Sequence, residues 1–111
     1  MVFEHPDQID EIAAYYAEMD FAAAKQDFDA ALAATGKGVH DAKCEKCHSD
    51  GGTNADDEAS ILGGQWMGYL EATFAEYLSG AREQDKSMEE AMKSLSEDDV
   101  KALLNFYASQ Q

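Results

Sequence analysis

The chain carries Cys44-Glu45-Lys46-Cys47-His48 near its middle, and the expected structure is built around this motif. Two cysteines separated by two residues, with a histidine directly after the second, are the attachment pattern of a c-type haem. The spacing lets the two thiols reach the two vinyl groups of one porphyrin, while the imidazole of His48 reaches the iron from one side. The motif therefore predicts one covalently bound haem c, held by Cys44, Cys47 and His48.

Two other uses of a C-x-x-C pair compete with this interpretation. A zinc site needs further ligands, and the chain offers only His5 and His40 as additional nitrogen donors. A thioredoxin-like dithiol normally accompanies alternating strands and helices, and this sequence has no strand-like alternation. Haem attachment remains the favoured interpretation.

The opposite face of the iron needs a second ligand, and methionine supplies a soft thioether for it. Met88 is the first candidate because it follows a polar loop and opens a short helix. Met92, one turn later, is its rival, since either methionine can equally serve as core packing. Met67 lies inside a helix. His40 is a further option, but a histidine on a helix just before the cysteines is more often a surface residue, and His40 is interpreted as one.

Composition limits the remaining possibilities. A chain of 111 residues with 45% hydrophobic residues is the size of one compact globular domain. Its 23 acidic and 8 basic residues give a net charge of −15, which disfavours nucleic acid and acidic membranes and favours partners with a basic docking surface. Solubility in a saline habitat is an alternative reason for the acidity. No apolar stretch is long enough to span a bilayer, and the first residues lack the pattern of an export signal.

Helical periodicity dominates the sequence, so we expect an all-α fold. A first helix is predicted from Ile9, Ile12, Ala13, Tyr16 and Met19, and a second, running into Cys44, from Phe28, Leu32, Thr35 and Val39. A long loop, 49–64, should follow the cysteines. A third helix is predicted from Trp66, Leu70, Phe74, Tyr77 and Leu78, ending at Ser79-Gly80, and a terminal helix from Val100, Leu103, Leu104 and Tyr107.

Helix caps and an internal similarity add detail. Ser96 with Asp99 approximates a capping box for the terminal helix, and Ser87 with Glu90 is a second possible cap. The first helix also matches the last at a constant offset of 91, with five corresponding pairs: Ile9 and Val100, Ile12 and Leu103, Tyr15 and Phe106, Tyr16 and Tyr107, Ala17 and Ala108. A shared amphipathic pattern could produce this similarity by chance.

Several of these features together resemble class I cytochromes c, and in particular the second haem domain of dihaem cytochromes such as the cytochrome subunit of flavocytochrome c sulfide dehydrogenase. Gly36 stands eight residues before Cys44, as a glycine does in that class. The segments Leu62-Gly63-Gly64-Gln65-Trp66 and Ser79-Gly80-Ala81-Arg82, and the closing Phe106-Tyr107-Ala108-Ser109-Gln110-Gln111, are also similar to that subunit.

The resemblance implies a class I cytochrome c fold with an extra N-terminal helix. Residues 1–25 would correspond to the end of a preceding haem domain with its linker, and residues 26–111 to a complete haem domain. Gly36 would let its helix cross the last one closely, with Phe106 as its aromatic neighbour. Met88 would be the sixth ligand, although in the family that methionine usually follows a proline and here it follows Ser87.

These expectations combine into a function. With His48 and Met88 as ligands, the iron has no vacant position, so we expect a carrier of single electrons and no enzyme. The alternatives are a cytochrome subunit that accepts electrons from a flavoprotein sulfide dehydrogenase, or an open-iron haem sensor or peroxidase. Arg82 and Trp66 could bond a haem propionate, although a surface arginine and a core tryptophan are commoner. Because haem attachment usually takes place outside the bacterial cytoplasm, the resemblance implies a periplasmic protein.

Overall fold

The computed structural model describes residues 6–17, 22–57 and 59–111, and this part of the chain is helical, without strands. The helices are α1 (Pro6–Ala17), α2 (Ala30–Lys43), α3 (Ser49–Gly52), α4 (Met67–Ser79), α5 (Lys86–Lys93) and α6 (Glu97–Ala108). The all-α prediction is confirmed. Met19 and the side chain of Tyr16, both expected on the first helix, lie outside the described residues.

The centre of the fold is the crossing of α2 and α6. The two helices touch closely at Gly36, which lies against Ala102 and Phe106, so the expected close crossing is confirmed. A hydrogen bond of 2.8 Å from the backbone N–H of Asp29 to the Asn105 side chain joins the start of α2 to α6. The side chain of Asp29 also caps α2 by accepting from the N–H of Leu32.

Helix α6 is the most deeply buried element. Its start has the predicted capping box, in which Ser96 and Asp99 each accept a hydrogen bond from the other's backbone N–H at 3.1 Å. From Ala102 to Ala108 every residue is buried, which means that α6 is enclosed on most sides. Helices α2 and α4 both pack against α6, so α6 connects the two helices that flank the C-x-x-C-H motif and the cavity region.

Helix α4 closes another side of the core. Leu70 and Phe74 are buried against the residues of α6, and the helix ends as predicted at Gly80, whose φ of 81° is in the left-handed region. Trp66, just before this helix, was expected to be buried with the helix stripe. It is 59% exposed and does not belong to the core. Leu78 is likewise half exposed.

The structure also corrects the predicted face of the second helix. Phe28 precedes α2 and is 40% exposed, and Thr35 is exposed as well. The buried face is Ala33, Gly36 and His40. The prediction was wrong for Phe28 and Thr35, whereas Leu32 and Val39 are half-buried and Val39 packs against the core. The most buried positions are small or polar because the two helices cross closely.

One further local prediction was wrong, and the predicted loop after the cysteines was correct except for one short element. Helix α5 begins after Asp85, so Ser87 lies inside the helix and does not cap it. The loop after the cysteines contains the four-residue helix α3, which has no apolar periodicity and includes left-handed backbone at Asp50 and Gly51.

The apolar side of α1 is largely open. Ile9, Ile12 and Tyr15 are 49%, 43% and 64% exposed, whereas Leu103 and Phe106, which match two of them in sequence, are buried in α6. The sequence similarity between the first and last helices therefore does not extend to their burial. Within the described segments, the helices are all too short or too polar to cross a bilayer.

Candidate cofactor site

The attachment motif forms a tight turn directly after α2. The backbone N–H groups of Cys44 and Glu45 both donate to the carbonyl of His40, and those of Cys47 and His48 both donate to the carbonyl of Cys44. The turn therefore continues from the helix without a break. It fixes the two thiols and the imidazole relative to the end of α2.

The ring of His48 is held by its Nδ1 atom, which lies 2.8 Å from the carbonyl oxygen of Ser60. A carbonyl only accepts hydrogen bonds, so Nδ1 carries the proton and donates it to Ser60. The Nε2 atom then keeps its lone pair. This is the arrangement by which proteins orient a histidine that ligates a metal.

The segment after the motif is tied back to the core. Ser49 donates to the Asp57 carboxylate through both its backbone N–H and its hydroxyl, at 2.8 and 2.7 Å. Farther along, Leu62 donates to the carbonyl of Gly52, and Gly64 to the carbonyl of Tyr107 in α6, both at 2.8 Å. The carbonyl that holds His48 is thus on a segment anchored at both ends.

A cavity of about 940 Å³ opens beside the motif. Cys44, Cys47 and His48 all line it, so the structure brings the three predicted attachment residues to one space. Its volume is at the upper end of the roughly 300–1,000 Å³ found for cofactor and ligand sites. The apolar part of its wall includes large side chains from four segments of the chain: Ile61, Leu62, Leu70, Phe74, Leu95 and Leu103.

The methionine candidates separate into two groups. Met88 and Met92 both line the cavity, with Met88 half-buried and Met92 only 6% exposed, while Met67 is outside the cavity lining. Met92 also belongs to the apolar core cluster, whereas Met88 packs at its edge. The position of Met88 suits a ligand that reaches into the cavity, and that of Met92 suits core packing.

One polar atom in the cavity wall lacks a partner. The side-chain carbonyl of Gln84 is buried and without a hydrogen-bond partner among the described residues, and the amide N–H of Gln84 makes only a long bond of 3.4 Å to Tyr77. A buried polar group of this kind costs free energy unless a ligand or water satisfies it. The cavity wall also offers two thiols, one free imidazole nitrogen and a thioether. It therefore fits a group that is mainly apolar and has a few polar substituents. A covalently bound haem is such a group.

His40 differs most from expectation. It is completely buried, so its interpretation as a surface residue was wrong. Its Nδ1 atom lies 2.8 Å from the Tyr107 hydroxyl and its Nε2 atom 2.6 Å from the Glu45 carboxylate. Because both ring nitrogens are engaged, His40 has no atom free to serve as the sixth ligand.

Glu45, the first variable residue of the motif, holds the turn together. Its carboxylate accepts hydrogen bonds from the backbone N–H groups of Asp50 at 2.8 Å and Gly51 at 3.4 Å. Both residues have left-handed backbones, and both N–H groups donate to this one carboxylate. Burial acts to raise the pKa of Glu45, but hydrogen bonds from His40, Asp50 and Gly51 outweigh it and lower that pKa.

Burial also affects the thiol at the inner end of the motif. It raises the pKa of Cys44, and this outweighs the lowering by a hydrogen bond with Tyr107 and by the charge of Lys43. The pKa of Tyr107 is raised far above its ordinary value by burial and, next, by the nearby Cys44. Both groups therefore stay protonated at neutral pH. Cys47, by contrast, is exposed.

The charge at the mouth of the cavity differs from that of the whole chain. Among the residues that the structure describes, Lys43, Lys46 and Arg82 line the cavity together with two acidic residues, Asp57 and Asp85. Three of the eight basic residues are therefore gathered at one opening in a chain of net charge −15. A partner that approaches this opening meets a weaker negative field than the net charge suggests.

The remaining clusters of potential ligands do not support zinc at the motif. Within the described ranges, the one group of three metal-binding side chains is His40, Asp41 and Glu45, which includes neither cysteine. A structural zinc site requires about four converging ligands, and in the same ranges Cys44, Cys47 and His48 lack both a fourth ligand and mutual convergence. A second recess of about 550 Å³, beside α4 and α5, has neither cysteine nor histidine in its described lining.

No protein-family model matches the chain, and no curated protein matches it.

Proposed function

We propose that this chain is a c-type cytochrome that carries single electrons between redox partners. One haem would be attached through thioethers to Cys44 and Cys47, with His48 and Met88 as the axial ligands. The main observation in favour is that the C-x-x-C-H turn opens on a cavity of about 940 Å³ while Ser60 holds the His48 ring by Nδ1. Bound haem would supply a one-electron couple between ferrous and ferric iron.

The chain's own residues would tune that couple in three ways. Ser60 fixes the tautomer of His48, which keeps Nε2 available and its ring from rotating. The thioether of Met88 would stabilise ferrous iron and so raise the reduction potential. The apolar wall, including Leu70 and Phe74, excludes water and disfavours the extra positive charge of ferric iron.

A filled coordination sphere distinguishes a carrier from an open-iron protein. With both axial positions occupied, oxygen, peroxide and carbon monoxide have no site on the iron, and the chain would act only by exchanging electrons. Met88 is half-buried at the edge of the cavity, and this position supports a ligand role. Because the sulfur-to-iron transition reports that ligand directly, the oxidised spectrum is decisive.

The test is expression of the chain in a bacterium with a haem-attachment pathway, followed by spectroscopy of the purified protein. We expect a pink protein whose haem stays bound after denaturation in acid and organic solvent. A weak sulfur-to-iron band at the red edge of the oxidised spectrum and slow carbon monoxide binding should accompany it. The double variant Cys44→Ser with Cys47→Ser should lose covalent haem, and Ser87→Ala, near Met88, is the matched control that should retain it.

Other outcomes would identify the alternatives. Rapid carbon monoxide binding by the resting protein would show that the protein is an open-iron sensor or peroxidase and not an electron carrier. A colourless protein that contains zinc, or one whose two cysteines cycle between thiol and disulfide, would refute the proposal.

A further inference from the structure

We propose that the chain also carries a proton, which His40 takes up when the bound haem is reduced and releases when it is oxidised. This inference rests on the proposed haem function and goes beyond it, because electron transfer alone requires no proton. It is based on the chain of hydrogen-bonded groups Glu45, His40 and Tyr107, which runs from the surface to the wall of the cavity.

His40 is needed neither as a ligand nor as simple packing. Its side chain is completely buried between α2 and α6, where an apolar residue of similar size would be the ordinary choice. Its ring nevertheless makes hydrogen bonds through both nitrogens, at 2.8 Å to Tyr107 and 2.6 Å to Glu45. A titratable ring with two fixed partners is suited to gaining and losing a proton in place.

Both protonation states of His40 are satisfied by the same neighbours. When His40 is neutral, Nε2–H donates to Glu45, and Nδ1 accepts from the Tyr107 hydroxyl. When His40 is charged, both nitrogens donate, and the Tyr107 hydroxyl rotates to point elsewhere. The Cys44 side chain is near enough to Tyr107 to raise the pKa of that hydroxyl, and a thiol or thioether sulfur is a weak acceptor.

The positive charge of His40 is compensated by a carboxylate that is already ordered. The Glu45 carboxylate at 2.6 Å is held in place by the backbone N–H groups of Asp50 and Gly51, so it does not have to be ordered when His40 becomes charged. The side chain of Glu45 is 37% exposed and provides a route for the proton to solvent. A buried charge with such a partner is far less costly than an isolated one.

The other titratable groups around His40 do not replace it. Tyr107, on α6, and Cys44, in the motif turn, both have their pKa raised by burial, and Cys44 has no thiol proton once the thioether forms. Asp41, on the same helix as His40, is exposed and paired with Lys37 at 2.8 Å. Glu45 has a lowered pKa and stays ionised near neutral pH.

A single side chain, Tyr107, separates His40 from the group bound in the cavity, because Tyr107 both lines the cavity and bonds His40. Ferric iron carries one more positive charge than ferrous iron, and this charge repels a protonated imidazole through a poorly screened interior. When a one-electron reductant donates an electron to bound haem, this repulsion would decrease, and His40 would take up a proton from solvent in part of the molecules. By linkage, proton uptake on reduction requires that the reduction potential falls as pH rises.

The experiment measures protons taken up per electron. Holoprotein in weakly buffered solution with a pH indicator is reduced by a one-electron donor between pH 6 and 8, and the reduction potential is measured over the same range. We expect uptake of a substantial fraction of a proton per haem, and a potential that decreases with pH. Both effects should be lost in His40→Phe, which preserves ring packing against Phe106, and reduced in Glu45→Gln.

Controls make the outcome specific. His5→Gln removes the one other histidine not proposed as a ligand, and it should leave the proton uptake unchanged. Circular dichroism and the red-edge sulfur band report whether each variant is folded with intact axial ligands, and His40→Gln replaces His40→Phe if the latter does not fold. Uptake that persists in a folded His40 variant, or that is absent from the natural sequence, overturns the inference although the haem function stands. A purified protein without haem overturns both.

Discussion

The backbone of Gly36 in α2 lies directly against the backbone of Ala102 in α6. A Cβ atom on Gly36 would be 2.6 Å from the carbonyl carbon of Ala102 and 2.8 Å from Cβ of Phe106, both far inside van der Waals contact. Because α2 carries the motif at its end and α6 carries Tyr107, the separation of these two helices sets the position of the attachment turn on the cavity wall.

We therefore expect Gly36→Ala to force the two helices apart. The clash is with backbone atoms, which cannot move aside as a flexible side chain would, so the variant should lose about 1–3 kcal/mol of unfolding free energy or more. Guanidinium unfolding of the holoprotein, followed by circular dichroism, measures the loss.

Gly38→Ala is the matched control on the same helix. A Cβ there has no atom within 4 Å, and alanine favours the helix over glycine, so this variant should gain roughly 0.5–1 kcal/mol. Equal effects of the two substitutions would show that the crossing is not as tight as the structure indicates.

Fold class and the attachment turn could be predicted from the sequence because both are local. Helical periodicity extends over whole segments, and the C-x-x-C-H spacing fixes its own geometry. The burial of His40 was missed, although Ala33, Gly36 and His40 are spaced by three and four residues and therefore share one helical face. The predicted stripe was placed on Phe28, Leu32, Thr35 and Val39 instead.

Other features of the site depend on long-range contacts that no local pattern contains. Ser60 reaches His48 from twelve residues away, and Tyr107 reaches His40 from 67 residues away. Helix α3 was missed for a different reason. Its two left-handed residues, Asp50 and Gly51, depend on the carboxylate of Glu45, which the sequence alone does not place.

A second prediction concerns the start of α6. Ser96→Ala removes the hydroxyl that accepts from Asp99, and we expect a loss of about 0.5–2 kcal/mol in unfolding free energy. Ser87→Ala, on α5, should not destabilise the protein, because Ser87 is an exposed residue within the helix and alanine has the higher helix propensity. Denaturant titration of both variants separates them, and a larger loss for Ser87→Ala would mean that α5 begins later than the structure indicates.

A third prediction follows from the lowered pKa of Glu45. A carboxyl group whose pKa is lower in the folded state stabilises the fold above its ordinary pKa of 4.5, and this stabilisation is lost as pH falls through the folded value. We therefore expect the unfolding free energy of the natural sequence to decrease more steeply below pH 4.5 than that of Glu45→Gln. Urea unfolding between about pH 3 and 6 measures it. Glu71→Gln, at an exposed position on α4, is the control and should retain the steep decrease.

The last prediction distinguishes the two methionines that line the cavity. Met88→Ala should lower the reduction potential and abolish the red-edge sulfur band while the haem stays attached, because only the axial thioether is lost. Met92→Ala should keep the band and instead lose about 2–5 kcal/mol of unfolding free energy, because Met92 is 6% exposed and packs in the core. Oxidised spectra, potentiometric titration and denaturant unfolding of both variants provide the comparison. If Met92→Ala loses the band and Met88→Ala retains it, then Met92 is the ligand and Met88 is the packing residue. This follows because the band disappears whenever the sulfur that ligates iron is removed.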